Sequence, residues 1–240
     1  MRNDRSIAFR SRLVPFLAFF WVLCLPGASA AQLRVSPARV ELGGGLALAG
    51  VIDLGAVDAT MTRNQPGTPE RFKFFRADSR IDADPAPAAW VGVNVTRAVG
   101  VEVGFQRSHP SIRTKISGDA EGVPAVTLTT KSILQRTIEG NVILHGNAWR
   151  FDGQRTVPFL LAGGGYLRQS DDEHGLAETA RIYQVGLGFK WVSGITSSGR
   201  ARGPGMRLDL RYVVRDGGFD LRGDTRQSYV TAGMTASLAF

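Results

Sequence analysis

Two-residue alternation is the dominant pattern along the chain. Over 206–215, Met206, Leu208, Leu210, Tyr212 and Val214 share one face, with Arg207, Asp209, Arg211, Val213 and Arg215 on the other. Over 183–191, Tyr183, Val185, Leu187, Phe189 and Trp191 oppose Gln184, Gly186, Gly188 and Lys190. A helix would leave neither set on a single side, whereas a strand places every second residue on one face. The same template fits Val99, Val101, Val103 and Phe105 against Gly100, Glu102, Gly104 and Gln106, and Val91, Val93 and Val95 against Trp90, Gly92 and Asn94. Val40, Leu42, Leu46 and Leu48 oppose Glu41, Gly43 and Gly45. Leu134, Ile138, Val142 and Leu144 oppose Gln135, Glu139 and Asn141, with Arg136 interrupting the apolar side. The segment from Thr156 is apolar enough for a strand, but its facing is ambiguous. The pattern predicts eight strands, at about 39–55, 87–96, 99–108, 132–145, 156–169, 181–193, 206–216 and 227–240.

The connections alternate in length. Long ones cover 56–86, 109–131, the acidic Asp171-Asp-Glu-His174 loop and 216–226. Short turns lie between them, with 193–205 longer than its side would suggest. An even strand number, strands near the 9–11 residues a tilted crossing needs, and turns alternating with long loops predict an all-β, eight-stranded antiparallel up-and-down transmembrane β-barrel. Glycine, 29 of 240 residues, recurs on the polar face at Gly92, Gly100, Gly104, Gly186, Gly188 and Gly233, as the narrow interior of an eight-stranded barrel requires. Charges of both signs share that face: Glu41, Glu102, Glu139 and Asp209 against Lys190, Arg207, Arg211 and Arg215. Inside a barrel they would pair across strands, because a lone buried charge is very unfavourable. The rival arrangement is a soluble lipocalin-like barrel, with the apolar face inward and the charges on a solvated exterior.

The first thirty residues read as an address. Arg2, Arg5, Arg10 and Arg12 precede an apolar run over 13–25, followed by Ala28-Ser-Ala30. A positive start, a short apolar core and a small-residue site describe a secretory signal peptide over 1–30, leaving 31–240 as the barrel domain. Without that leader the formal charge falls from +8 to +5, and the single cysteine, Cys24, is lost. An exported chain without disulfides is held by its core or by a membrane. No later apolar run reaches the roughly 18 residues of a spanning helix, so only a barrel remains as a spanning option. The basic residues are dispersed and no nucleic-acid-binding signature accompanies them, so nucleic acid is not an expected partner.

At the carboxyl end, Val230, Ala232, Met234, Ala236, Leu238 and Phe240 share a face. Thr231, Gly233, Ala236, Leu238 and terminal Phe240 resemble the assembly signal of bacterial outer-membrane barrels. With the strands around Gly163-Gly-Gly-Tyr166, Gly186-Leu-Gly-Phe-Lys190 and Met206-Arg-Leu-Asp-Leu-Arg-Tyr212, the chain from Val99 to Phe240 resembles the eight-stranded outer-membrane β-barrel family of the OmpA transmembrane domain, OmpX and opacity-protein kind. That resemblance implies a monomer in a Gram-negative outer membrane, in contact with outer-membrane lipids and lipopolysaccharide. It also implies escort by periplasmic chaperones and insertion by the barrel-assembly machinery. Deleting Phe240 is then expected to reduce the heat-modifiable, folded form recovered from outer membranes, a loss a soluble lipocalin-like domain would not show.

Candidate chemistry is sparse. His109-Pro-Ser111 has the His-x-Ser spacing of a lipid A deacylase, but Ile112 follows where that family carries Asn. His145 and His174 fall on other connections or strand ends. Asp171-Asp-Glu-His174 has carboxylates that suit calcium, but its spacing matches no calcium loop. Gly163-Gly-Gly165 is followed by no Gly-Lys-Ser/Thr, so it is no phosphate loop. Ser198-Gly-Arg-Ala-Arg-Gly203 reads as a basic turn, and Arg71, Lys73 and Arg76 are candidates for contact with lipopolysaccharide phosphates. The expectation is a structural or surface-interaction barrel with no catalytic site, cofactor or metal. The alternatives are a deacylase-like lipid A enzyme and a narrow pore.

Overall fold

The computed structural model describes residues 40–62, 71–130, 133–153, 155–171, 175–195, 201–219 and 226–240. The expected signal peptide, the Asp172-Glu173-His174 part of the acidic loop and 198–200 of the basic turn lie outside them. Twelve strands are formed: β1 (Val40–Ala49), β2 (Ile52–Thr62), β3 (Arg71–Ile81), β4 (Asp84–Asn94), β5 (Val99–Ser108), β6 (Ile112–Ser117), β7 (Val126–Thr130), β8 (Leu134–His145), β9 (Thr156–Asp171), β10 (Leu176–Ile195), β11 (Ala201–Gly217) and β12 (Arg226–Ala239).

Eight of them close an antiparallel barrel in the order β1-β12-β11-β10-β9-β8-β5-β4. Each of the eight expected strands contributes one barrel strand. The seam is β1 against β12, running from Glu41 opposite Ala239 to Ala49 opposite Thr231, and the Phe240 N–H donates to the Val40 carbonyl at 3.0 Å. Closure leaves no barrel edge with unpaired backbone groups, the condition for crossing hydrocarbon with strands.

The long connections are not the loops that were expected. The 56–86 and 109–131 segments carry β2, β3, β6 and β7, which form a separate four-stranded sheet in the order β2-β3-β6-β7. The first barrel strand therefore stops at Ala49 rather than near residue 55. Two effects hide this sheet from a periodicity reading. Register shifts between Asp53 and Gly55 and between Ala59 and Thr60 break the alternation, as bulges do. Moreover, β3 meets β6 across more than thirty residues of chain, from Arg76 opposite Ser117 to Ile81 opposite Ile112. At the first shift, Gly55 sits at φ +93° and its N–H donates to Asp53 Oδ1 at 2.7 Å, a conformation that favours glycine. The 193–205 connection is also shorter than expected, because β10 runs to Ile195 and β11 begins at Ala201.

The sheet rises from the end of the barrel with the long connections. Its base is seated by Ile52, Leu54, Ile81 and Ile133, buried against Ile112, Phe219 and Tyr229. Just below, Leu167, Ala180, Ile182 and Val213 form a second buried cluster that also touches Tyr229. The mouth of the barrel is thus covered by packed apolar side chains.

Candidate functional site

Two features outside ordinary scaffolding stand out: the charged interior of the barrel and the surface it offers above and around it. Alternation places each interior residue. On β11 the apolar residues Met206, Leu208, Leu210 and Tyr212 are exposed, while Arg207, Asp209, Arg211 and Arg215 are buried. On β10, Gln184 and Lys190 point in; on β8, Gln135, Glu139 and Asn141; on β5, Glu102; on β1, Glu41. The barrel is therefore inverted relative to a lipocalin-like one, with the charged face inside.

The structure brings five of the eight named interior charges into one network. Arg207 Nη1 donates to Glu102 Oε2 at 2.5 Å and Arg207 Nε to Asp209 Oδ2 at 3.0 Å. Arg211 Nε donates to the other oxygen of Asp209 at 2.5 Å, and Arg211 also pairs with Glu139. Asn141 donates to Glu102 at 3.0 Å and to Glu139 at 3.3 Å, and accepts from Gln184 at 2.7 Å. Of the other three, Lys190 pairs with Glu41, which also accepts from Asn94 at 3.0 Å, and Arg215 donates to the Phe219 carbonyl at 2.8 Å. The Arg207 guanidinium lies between two rings, 5.0 Å from the centroid of Trp90 and 4.7 Å from that of Phe159. Both charge and flat faces of that guanidinium are thus satisfied, as burial requires. Phe159 is a participant the sequence left unassigned, because the facing of its strand was ambiguous. Its inward side emerges only once Gly163 and Gly165 are paired with Asn141 and Glu139.

Little free volume remains. The cavity beside Glu41, Trp90, His145, Lys190 and Arg207, and that beside Trp90, Glu139, Asp209 and Arg211, each measure about 20 Å³, room for about one water. A side-chain-filled interior of this kind is typical of eight-stranded barrels and leaves no aqueous channel.

The exterior is apolar over a continuous band. Leu46, Val103, Ile138, Leu187 and Met234 are each more than half exposed. On β11 the band from Met206 to Val214 runs about 27 Å at roughly 3.4 Å per residue. At a strand tilt of about 40° that is about 21 Å of depth, close to the roughly 25 Å expected of an outer-membrane belt. Aromatic residues flank it. Trp149, Phe151 and Phe240 are exposed at the end with short turns, and Phe105, Tyr166, Tyr183 and Tyr212 toward the other. Exposed to water, such a belt would be a very large aggregation-prone patch; in lipid it is the surface that fits.

The residues of the expected assembly signal divide by face. Ala236, Leu238 and Phe240 point outward, Thr231 is buried, and Gly233 faces Asp209. His109 is exposed at the corner between β5 and β6, where its N–H donates to Asp84 Oδ2 at 2.8 Å. The adjoining carbonyls of Pro110 and Ser111 accept from Ile133 and Asp82. The His-x-Ser segment thus ties the sheet to the barrel rim. His145 ends β8 and points inward, 2.8 Å from Asn94 Oδ1. Gly163 and Gly165 lie in mid-strand against β8. Among the described residues no group of three or more His, Cys, Asp or Glu is placed to hold a metal.

Four cations of the surface sheet are paired. Lys73 meets Asp58 at 2.7 Å, Arg76 meets Asp78 at 3.2 Å, and Arg80 and Arg113 both meet Asp82, at 3.4 and 2.9 Å. The hydrogen bond and charge of Asp78 raise the Arg76 pKa above its ordinary value. The opposite face carries a row straight across the four strands, Val57, Ala77, Ile116 and Val126, of which Val57 and Val126 are exposed.

No protein-family model matches the sequence, and no curated protein matches it. Solved structures do. The outer membrane protein OprG from Pseudomonas aeruginosa superposes with a TM-score of 0.49 at 11% identity, over 87% of this chain and 98% of that one. Ail, the attachment invasion locus protein of Yersinia pestis, superposes with a TM-score of 0.39 at 12% identity, over 85% of this chain and 99% of that one. The closed eight-stranded barrel, its apolar exterior and its paired, charged interior are together the architecture of bacterial outer-membrane barrels.

Proposed function

We propose that this outer-membrane barrel is an anchor that displays the β2-β3-β6-β7 sheet at the cell surface, and that the sheet, rather than the lumen, is its working part. The observation that carries this reading is that two surface connections fold into a single sheet with its own buried base. Mobile loops would need no such core; a fixed one holds a surface in a defined orientation, which is what recognition requires. The packed interior favours an anchor over a narrow pore.

The test removes half of the sheet, β6 and β7, and keeps the barrel. Replacing 112–130 by a short Gly/Ser linker is expected to leave heat-modifiable migration and outer-membrane fractionation intact. Adhesion of the expressing cells to one another or to a host-cell surface should fall. In planar bilayers the wild-type protein should give no steady single-channel current. A steady current would support the pore, and adhesion unaffected by the excision would overturn the display role.

A further inference from the structure

Four arginines stand together on the outer surface where the barrel leaves its apolar belt. The register sets Arg107 of β5 beside Arg136 of β8, and Arg136 beside Arg168 of β9. Arg181 of β10 lies opposite Tyr166, one row nearer the belt. All four are exposed. Two residues nearer the belt on each strand come Phe105, Ile138, Tyr166 and Tyr183, all exposed as well. The row lies at the end with the long connections, which in this architecture is the extracellular end.

Like charges directly opposite one another destabilise a sheet. With strands about 4.8 Å apart, three arginines in an unbroken row share about 10 Å of surface. Among the described residues none of the four is in an ion pair. The carboxylate facing Arg181 in the register, Asp216, makes no ion pair with it. In the sheet above, by comparison, Lys73, Arg76, Arg80 and Arg113 have carboxylate partners. Of the three residues the sequence suggested for lipopolysaccharide phosphates, Lys73 and Arg76 are already engaged, and Arg71 stands at the opposite end of β3 from the base seated by Ile81.

We propose that Arg107, Arg136, Arg168 and Arg181 bind the phosphate groups of a lipid headgroup in the outer leaflet. The guanidinium fork matches phosphate oxygens bidentately. The neighbouring tyrosines mark the depth at which headgroups lie, so the ligand's acyl chains fall along the apolar belt while its phosphates meet the row. Arg136, which in the sequence merely breaks the apolar face of β8, is the central member. The inference rests on the membrane placement but not on what the sheet recognises.

The test titrates the purified, refolded protein in neutral detergent micelles with three probes: lipid A bearing its phosphates, the same lipid dephosphorylated, and inorganic phosphate. For the triple variant R107Q/R136Q/R168Q, affinity for the phosphorylated lipid is expected to fall on the order of a hundredfold, about fivefold for each arginine. The triple lysine variant, which keeps the charge but not the fork, should bind more weakly than wild type and more tightly than the glutamine variant. Wild-type affinity for the dephosphorylated lipid should match that of the glutamine variant. Heat-modifiable migration reports barrel integrity separately, so a failed membrane placement is distinguishable from a failed site. Should the triple variant not fold, R136Q alone is expected to show a fivefold loss. Unchanged affinity in the variants, equal binding of the dephosphorylated lipid, or inorganic phosphate binding as tightly as the lipid would each overturn the proposal.

Discussion

Replacing Arg207 by alanine is expected to destabilise the barrel by about 3–5 kcal/mol, the loss typical when one partner of a buried ion pair is removed. The Arg207 side chain is 2% exposed and its partners are equally enclosed. Its loss leaves Glu102 with only the Asn141 amide and Asp209 with only Arg211. It also empties the slot between Trp90 and Phe159. Denaturant unfolding of the refolded protein in lipid vesicles, followed by tryptophan fluorescence, measures the change. The double variant Arg207→Met with Glu102→Gln should recover most of the stability, because it removes the stranded charge and refills the slot. Equal damage from the single and the double variant would show that packing, not charge, dominates at this position.

Gly165→Ala is expected to prevent tight β8–β9 pairing and to lower stability by about 3 kcal/mol or more, at the upper end of what overpacking produces. A Cβ there would stand 2.7 Å from the Glu139 Cα and collide with the Ile138 carbonyl oxygen. Both are backbone atoms of the neighbouring strand, so no rotamer change relieves the contact. Gly140→Ala supplies the control: it lies on the lipid-facing side of β8 with nothing within 4 Å of the added atom, and should be neutral or slightly stabilising. Refolding yield and unfolding midpoint for the pair decide the matter; equal behaviour would mean the interior yields more readily than its backbone contacts imply.

Much of the barrel is legible in the sequence because alternation is local. Burying one face of a strand imposes a period of two on its residues wherever the strand pairs, so Tyr183 to Trp191 and Met206 to Arg215 announce both strand and facing without reference to a partner. The charge signs on the polar face were legible for the same reason. Where alternation fails, so does the reading. The glycine run Gly163-Gly-Gly165 erased the facing of β9, and with it the role of Phe159, since glycine is equally at home on either side.

The surface sheet was illegible because it is held by distant partners and interrupted by bulges. Composition around 64–67 and 82–85 reads as turn, and nothing within β3 says that it will meet β6. The same holds for the arginine row. Arg107, Arg136 and Arg168 are spread over sixty residues and look like isolated surface charges until the register sets them side by side.

From residue types and a two-residue period alone follow an eight-stranded barrel, its apolar and charged faces, and the demand that interior charges be matched. Which carboxylate meets which arginine, the closure of the lumen, the sheet above it and the row at its rim follow from strand register and barrel stagger. Those are long-range properties: every interior contact joins side chains from different strands, and a two-residue slip would keep each strand's own pattern intact while exchanging all of its partners.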